Sequence, residues 1–146
     1  MAEIVRQWES NSVEDTFEIG RQLASESSAG DVYCLDGDLG TGKTVFAQGF
    51  GAGLDIEEPI NSPTFTILKE YHDGRLPLYH FDVYRIGSED EMDEIGYYDA
   101  IDGDGVCLIE WSQLIQDILP ERYYRITIEK DTAKGFDYRN ITLTKI

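Results

Sequence analysis

The chain has 146 residues, 41% hydrophobic and 28% charged, and its 12 Lys and Arg face 29 Asp and Glu for a formal charge of −17. That length supports one domain burying roughly two thirds of its unfolded surface, which excludes architectures with separate lid or helical subdomains. A surface this acidic repels polyphosphate chains, so no strong direct nucleic-acid binding is expected. No apolar stretch approaches ~18 residues, and Met1–Arg6 lacks the hydrophobic segment of a signal peptide, so a soluble cytoplasmic protein without membrane attachment is expected. Cys34 and Cys107 each sit in an apolar run and read as buried core thiols, with neither metal-ligand spacing nor a disulfide framework.

In chain order, a short extended piece at Ile4–Trp8 precedes a helix capped by Ser12, whose apolar face is Phe17, Leu23 and Ala24 and which runs toward the turn Gly30-Asp31. Val32–Asp36 is a strand and Lys43–Leu54 a helix. Asn61-Ser62-Pro63-Thr64 reads as a loop. Phe65–Tyr71 and Leu76–Asp82 flank the turn His72-Asp73-Gly74-Arg75 as an antiparallel hairpin. Ser88-Glu89-Asp90-Glu91 is a candidate capping box for a short helix before Gly96. Val106–Glu110 is a continuously apolar strand ending in an acid, and Ser112–Leu119 is expected to be a helix closed by Pro120. Arg125–Glu129 and Tyr138–Thr144 form a second hairpin around Lys134-Gly135. These elements predict an α/β fold with a mixed sheet.

The stretch between the first apolar strand and its helix carries the chemistry. Gly37-Asp38-Leu39-Gly40-Thr41-Gly42-Lys43-Thr44 fits G-x-x-x-x-G-K-[ST] without a gap, in the strand–loop–helix setting that gives the pattern meaning. The glycines allow the backbone to curl so that its N–H groups point at an anion, and the helix adds the positive end of its dipole. Lys43 can reach the outer phosphates of a nucleoside triphosphate, and the Thr44 hydroxyl is placed for the accompanying Mg²⁺. Val45 completes the candidate binding set. Such a site also needs carboxylates, and Glu110 and Asp82 each end an apolar strand. Trp111 reads as core packing, with a role lining the nucleotide pocket as the alternative. Arg85 reads as a structural ion pair before an arginine finger, His80 as a strand histidine, and His72 as solvent-facing. No Asn-Lys-x-Asp run reads guanine, which favours adenine.

Taken together, Gly37–Thr44, Asn61-Ser62-Pro63-Thr64-Phe65-Thr66, Tyr79-His80-Phe81-Asp82-Val83-Tyr84-Arg85 and Leu108-Ile109-Glu110-Trp111 resemble, in the same order, the bacterial TsaE family, formerly called YjeE. These are small ATPases required for threonylcarbamoyladenosine modification of tRNA. The resemblance implies a P-loop NTPase fold: a mixed, mostly parallel central sheet with helices on both faces and antiparallel hairpins at the periphery. It implies ATP on the Gly37–Thr44 loop and Mg²⁺ on Thr44 and Glu110. Asp82 would be an essential acid near the metal or water, completing a catalytic set with Lys43 and Glu110. Ser62–Phe65 would be a switch-type loop with Thr64 contacting the γ-phosphate. The implied partners are a TsaB–TsaD pair. Thr41 and Val45 depart from the residues common in the family, alanine and threonine, without removing a backbone donor. The expectation is a weak Mg-dependent ATPase, against two alternatives: a small-molecule kinase and a non-catalytic nucleotide-sensing module.

Overall fold

The run Val32–Leu35 has no polar residue at alternate positions, so the strand it forms must be covered on both sides. The computed structural model of the chain, which describes residues 2–38, 40–61, 63 and 66–146, shows that arrangement. The expected loop contacts of Leu39 and Thr64, with Ser62 and Phe65 beside them, lie outside the described residues. The elements are β1 (Glu3–Ser10), α1 (Val13–Ser25), β2 (Val32–Gly37), α2 (Lys43–Gly53), β3 (Leu68–Tyr71), β4 (Leu78–Asp82), α3 (Asp90–Glu94), α4 (Tyr97–Ile101), β5 (Val106–Glu110), a 3₁₀ segment (Ser112–Ile118), β6 (Tyr124–Lys130) and β7 (Arg139–Lys145).

One seven-stranded sheet runs in the order β1-β7-β6-β2-β5-β4-β3. Its four central strands, β6-β2-β5-β4, are parallel. The outer pairings, β1 with β7, β7 with β6 and β4 with β3, are antiparallel. Parallel strands bring their carboxyl ends to one edge, where open α/β sheets bind ligands. Leu35 of β2 and Asp82 of β4 both pair with Glu110 of β5, so the three strand ends lie side by side.

Alternation sorts the central side chains into two cores. Tyr33, Leu35, Leu108, Ile126 and Ile128 face α1 and α2 through Ile19, Leu23, Phe46 and Phe50. Cys34, Phe81, Cys107 and Ile109 face Met92, Tyr97, Ala100 and Ile115 on the other side. Both cysteines are free and buried. Ser12 caps α1, accepting from the Asp15 amide at 3.0 Å.

The structure differs from the expected elements in detail. The Ser112 region forms 3₁₀ turns interrupted at Ile115 (φ −126°), because the chain must drop Ile115 into the second core. Ser88 does not cap α3 with its side chain; its carbonyl accepts from the Glu91 amide, and the helix starts at Asp90. The first hairpin is shorter than expected, with Leu68–Tyr71 against Leu78–Asp82, since Pro77 and the Gly74 turn cannot continue the ladder. A further short helix, α4, is not among the expected elements; Gly96 starts it in the left-handed region (φ 88°), and Tyr97 and Ala100 bury its inner face.

Candidate active site

Between β2 and α2 the backbone turns twice through the left-handed region, at Gly40 (φ 81°) and Gly42 (φ 103°), where a β-carbon would be strained. Gly42 is the N-cap and offers no side-chain oxygen. The first bond of the helix is Phe46 N–H to Gly42 O at 2.9 Å, so the amides of Lys43, Thr44 and Val45 precede the intrahelical ladder. The helix end therefore presents these amides, without an acceptor among the described residues, and a positive dipole to any anion. The Thr44 side chain is exposed.

Arg139, which the sequence reading did not single out, holds this loop from outside. Its guanidinium donates to Thr41 O at 2.9 Å and Gly40 O at 3.4 Å, and to Phe136 O and Tyr138 O. No local signal marks it, because its loop partners are main-chain carbonyls distant in sequence.

On the neighbouring strands, His80, Asp82 and Glu110 all project to the side covered by α2. Glu110 is 4% exposed and His80 wholly buried, and His80 Nε2 and Glu110 Oε2 share a hydrogen bond at 2.7 Å. Asp82 is half-buried, and its Oδ1 accepts from the Tyr84 amide at 3.1 Å. Burial pushes the Asp82 carboxyl above the usual carboxylate range, with the Glu110 charge adding; the Tyr84 bond, His80 and Lys43 oppose the shift. The Asp82 amide donates to Ile67 O at 2.8 Å, which ties β4 to the segment after the expected switch loop. Ile67 itself has φ 62°, a costly conformation for a β-branched residue.

Trp111 directly follows Glu110 in the left-handed region (φ 64°, ψ 33°). Its ring packs on the second core and touches Tyr84, with centroids 4.7 Å apart, while Lys43 Nζ sits 4.9 Å from the indole centroid. Trp111 thus packs on the core with one part of its ring and meets Lys43 with another. A cleft of about 680 Å³ runs past Trp111, Lys43, Gly37 and Asp38 to Arg125, which pairs with Asp36 at 2.8 Å. A smaller hollow of about 150 Å³ lies on the α1 side of the loop, lined by Ser12, Val13, Gly42, Val45 and Arg139.

Two other polar candidates lie elsewhere. Arg75 closes the carboxyl end of α1 through Ala24 O, Ser25 O and Ser27 O. His72 is exposed and 3.0 Å from Glu70.

Among the described residues, no three His, Cys, Asp or Glu side chains gather into a ready metal cage. The donors present suit Mg²⁺, which keeps several waters and takes one or two carboxylates besides phosphate oxygens. An exposed hydroxyl at Thr44 and a buried carboxylate with one oxygen outside the His80 bond at Glu110 supply that set.

A central parallel strand that turns through a Gly-rich loop into a helix, with acids at the adjoining strand ends, is the P-loop NTPase fold. The sequence profile of the family described as threonylcarbamoyl adenosine biosynthesis protein TsaE matches residues 10–141. The tRNA threonylcarbamoyladenosine biosynthesis protein TsaE of Bacillus subtilis is 48% identical over 139 residues, covering 95% of this chain and 85% of that protein. Its counterpart in Treponema pallidum is 45% identical over 119 residues, covering 82% and 86%. The crystal structure of Bacillus subtilis YdiB aligns with a TM-score of 0.77 and 43% identity over 99% of this chain and 86% of that one. The chain belongs to the TsaE family, whose role lies in tRNA threonylcarbamoyladenosine biosynthesis.

Proposed function

We propose that this chain binds ATP with Mg²⁺ at Gly37–Thr44, hydrolyses it slowly, and uses its nucleotide state to engage a TsaB–TsaD pair that modifies adenosine in tRNA. The observation that carries the reading is the open amide end of α2 beside Lys43, set against Asp82 and Glu110 on adjoining parallel strands. The amides of Lys43, Thr44 and Val45 hold phosphate oxygens, and Lys43 leaves the indole of Trp111 to reach the outer phosphates. Thr44 and Glu110 are the groups that hold Mg²⁺, which when bound neutralises charge on the phosphates. Asp82, with Oδ2 outside the Tyr84 bond and a raised proton affinity, orients the attacking water. A polyphosphate running from the acids along the loop brings the nucleoside toward Val45 and the small hollow beside α1. An isolated P-loop domain turns over at about 10⁻³–10⁻² s⁻¹, so hydrolysis is slow until a partner contributes. The charge of −17 suits a subunit that meets proteins and leaves tRNA to them.

The kinase reading needs arginines over an acceptor, and Arg75 is bound to the end of α1 instead. Titration of ATP into Lys43→Ala should show affinity weakened at least about tenfold, by loss of a charged phosphate contact. Glu110→Ala should abolish phosphate release in Mg²⁺. Unchanged affinity and turnover in both variants would end this reading. Pull-down with TsaB–TsaD, with and without ATP, tests the partner; capture indifferent to nucleotide would contradict control by nucleotide state.

A further inference from the structure

His80 stands in the middle of β4 with no solvent exposure, where an aliphatic side chain would fill the space without polar atoms. It pairs across the ladder with Leu108, which makes Glu110 its diagonal neighbour on the face that α2 covers. An ionised carboxylate only accepts, so Nε2 carries the hydrogen donated to Glu110 Oε2 at 2.7 Å. The other ring nitrogen, Nδ1, is sealed from solvent and has no hydrogen-bond partner among the described residues. A buried imidazole satisfied at one nitrogen is a poor packing element, because the orphaned acceptor keeps its desolvation cost. What the arrangement achieves is directional: one oxygen of Glu110 is tied down, and Oε1 accepts no hydrogen bond among the described residues.

We propose that His80 is a positioning residue: it fixes the rotamer of Glu110, leaves Oε1 as the oxygen presented to a divalent cation, and thereby sets the affinity for metal-bound nucleotide. This rests on the reading of Glu110 as a cation ligand. A ligand held by a neighbouring hydrogen bond gains affinity because its orientation is settled before the metal arrives.

The test compares ADP binding by the full chain in Mg²⁺ and in EDTA, the ratio giving the gain due to metal. His80→Gln places an amide N–H near the reach of Nε2, whereas His80→Asn ends near Nδ1 and falls short of Glu110. His80→Asn should lose about 10- to 100-fold of the metal-dependent gain with its EDTA affinity unchanged. His80→Gln should stay within about threefold of wild type, since it restores the donor. A gain fully kept by Asn, or lost equally by Gln and Asn, overturns the proposal alone. A wild type whose binding gains nothing from Mg²⁺ overturns it together with the reading of Glu110. In the unaltered protein, long-range ¹H–¹⁵N spectra should show the Nε2–H tautomer of His80; the Nδ1–H tautomer overturns the proposal without recourse to any variant.

Discussion

Arg139 shows how much of a loop's shape can hang on one distant side chain. A peptide plane points its carbonyl and the following amide in opposite directions. With Thr41 O drawn toward the guanidinium, the Gly42 amide is turned to the other side of the loop. Removing the guanidinium releases two loop carbonyls at once, each bonded to a charged donor. Arg139→Ala should therefore weaken ATP binding on the order of tenfold by isothermal titration. Arg139→Lys should recover little, because an ammonium lacks the planar fork that spans several carbonyls. Equal affinities in all three proteins would remove Arg139 from the support of the loop. Trp111 makes the same point differently: its place after a strand-end acid is plain in the sequence, but its left-handed backbone arises where the chain turns out of the sheet.

At the scale of elements, α1 and α2 cross with almost no side chain between them. A β-carbon on Gly49 would lie 2.0 Å from Phe17 O, one on Gly53 2.2 Å from Arg21 O, and one on Gly20 2.5 Å from Phe46 O. An exposed helical Gly→Ala change gains up to about 1 kcal/mol in propensity. Here the added methyl meets backbone that cannot step aside, and overpacking costs roughly 1–3 kcal/mol. Gly49→Ala should cost a net of about 1–2 kcal/mol of stability, read as a lower urea midpoint; a midpoint at or above wild type would show that the crossing yields. The first helix is readable from its Ser12 cap and the spacing of Leu23 and Ala24, the second from the Gly-rich loop that leads into it. The helix expected after Trp111 is present but wound as 3₁₀ turns, where the second core takes in Ile115 and Tyr97 Oη donates to Ile118 O.

The whole molecule keeps its thiols inside the sheet, one strand apart. Burial holds Cys34 up to about 11 and Cys107 up to about 12, against 9.0 when exposed. Above pH 9 the unfolded chain releases thiol protons that the folded chain retains, so rising pH favours unfolding. The contribution is complete below pH 9 and is lost as pH climbs toward 11 and 12, at up to about 1.4 kcal/mol per pH unit per thiol. Urea unfolding at pH 8, 9 and 10 should show this decline, and Cys34→Ala/Cys107→Ala should flatten it between pH 9 and 10. A double variant that declines like wild type would place the alkaline sensitivity elsewhere. Tyr33 and Tyr97, also raised by burial, add to the loss only at higher pH.

Read from residues alone, the phosphate loop, the two-sided strand before it and the acids ending two apolar runs were all available. Each is a short-range property: which residues tolerate a left-handed turn, and which side chains must leave water. The tertiary structure decided what those groups face. The His80–Glu110 bond depends on the register of β4 against β5, and a slip of one residue would turn either side chain to the opposite core. The hold of Arg139 on the loop depends on β7 returning beside β6 and bringing its first residue to Gly40 and Thr41. Such pairings join groups far apart along the chain, so their geometry exists only once the sheet has closed.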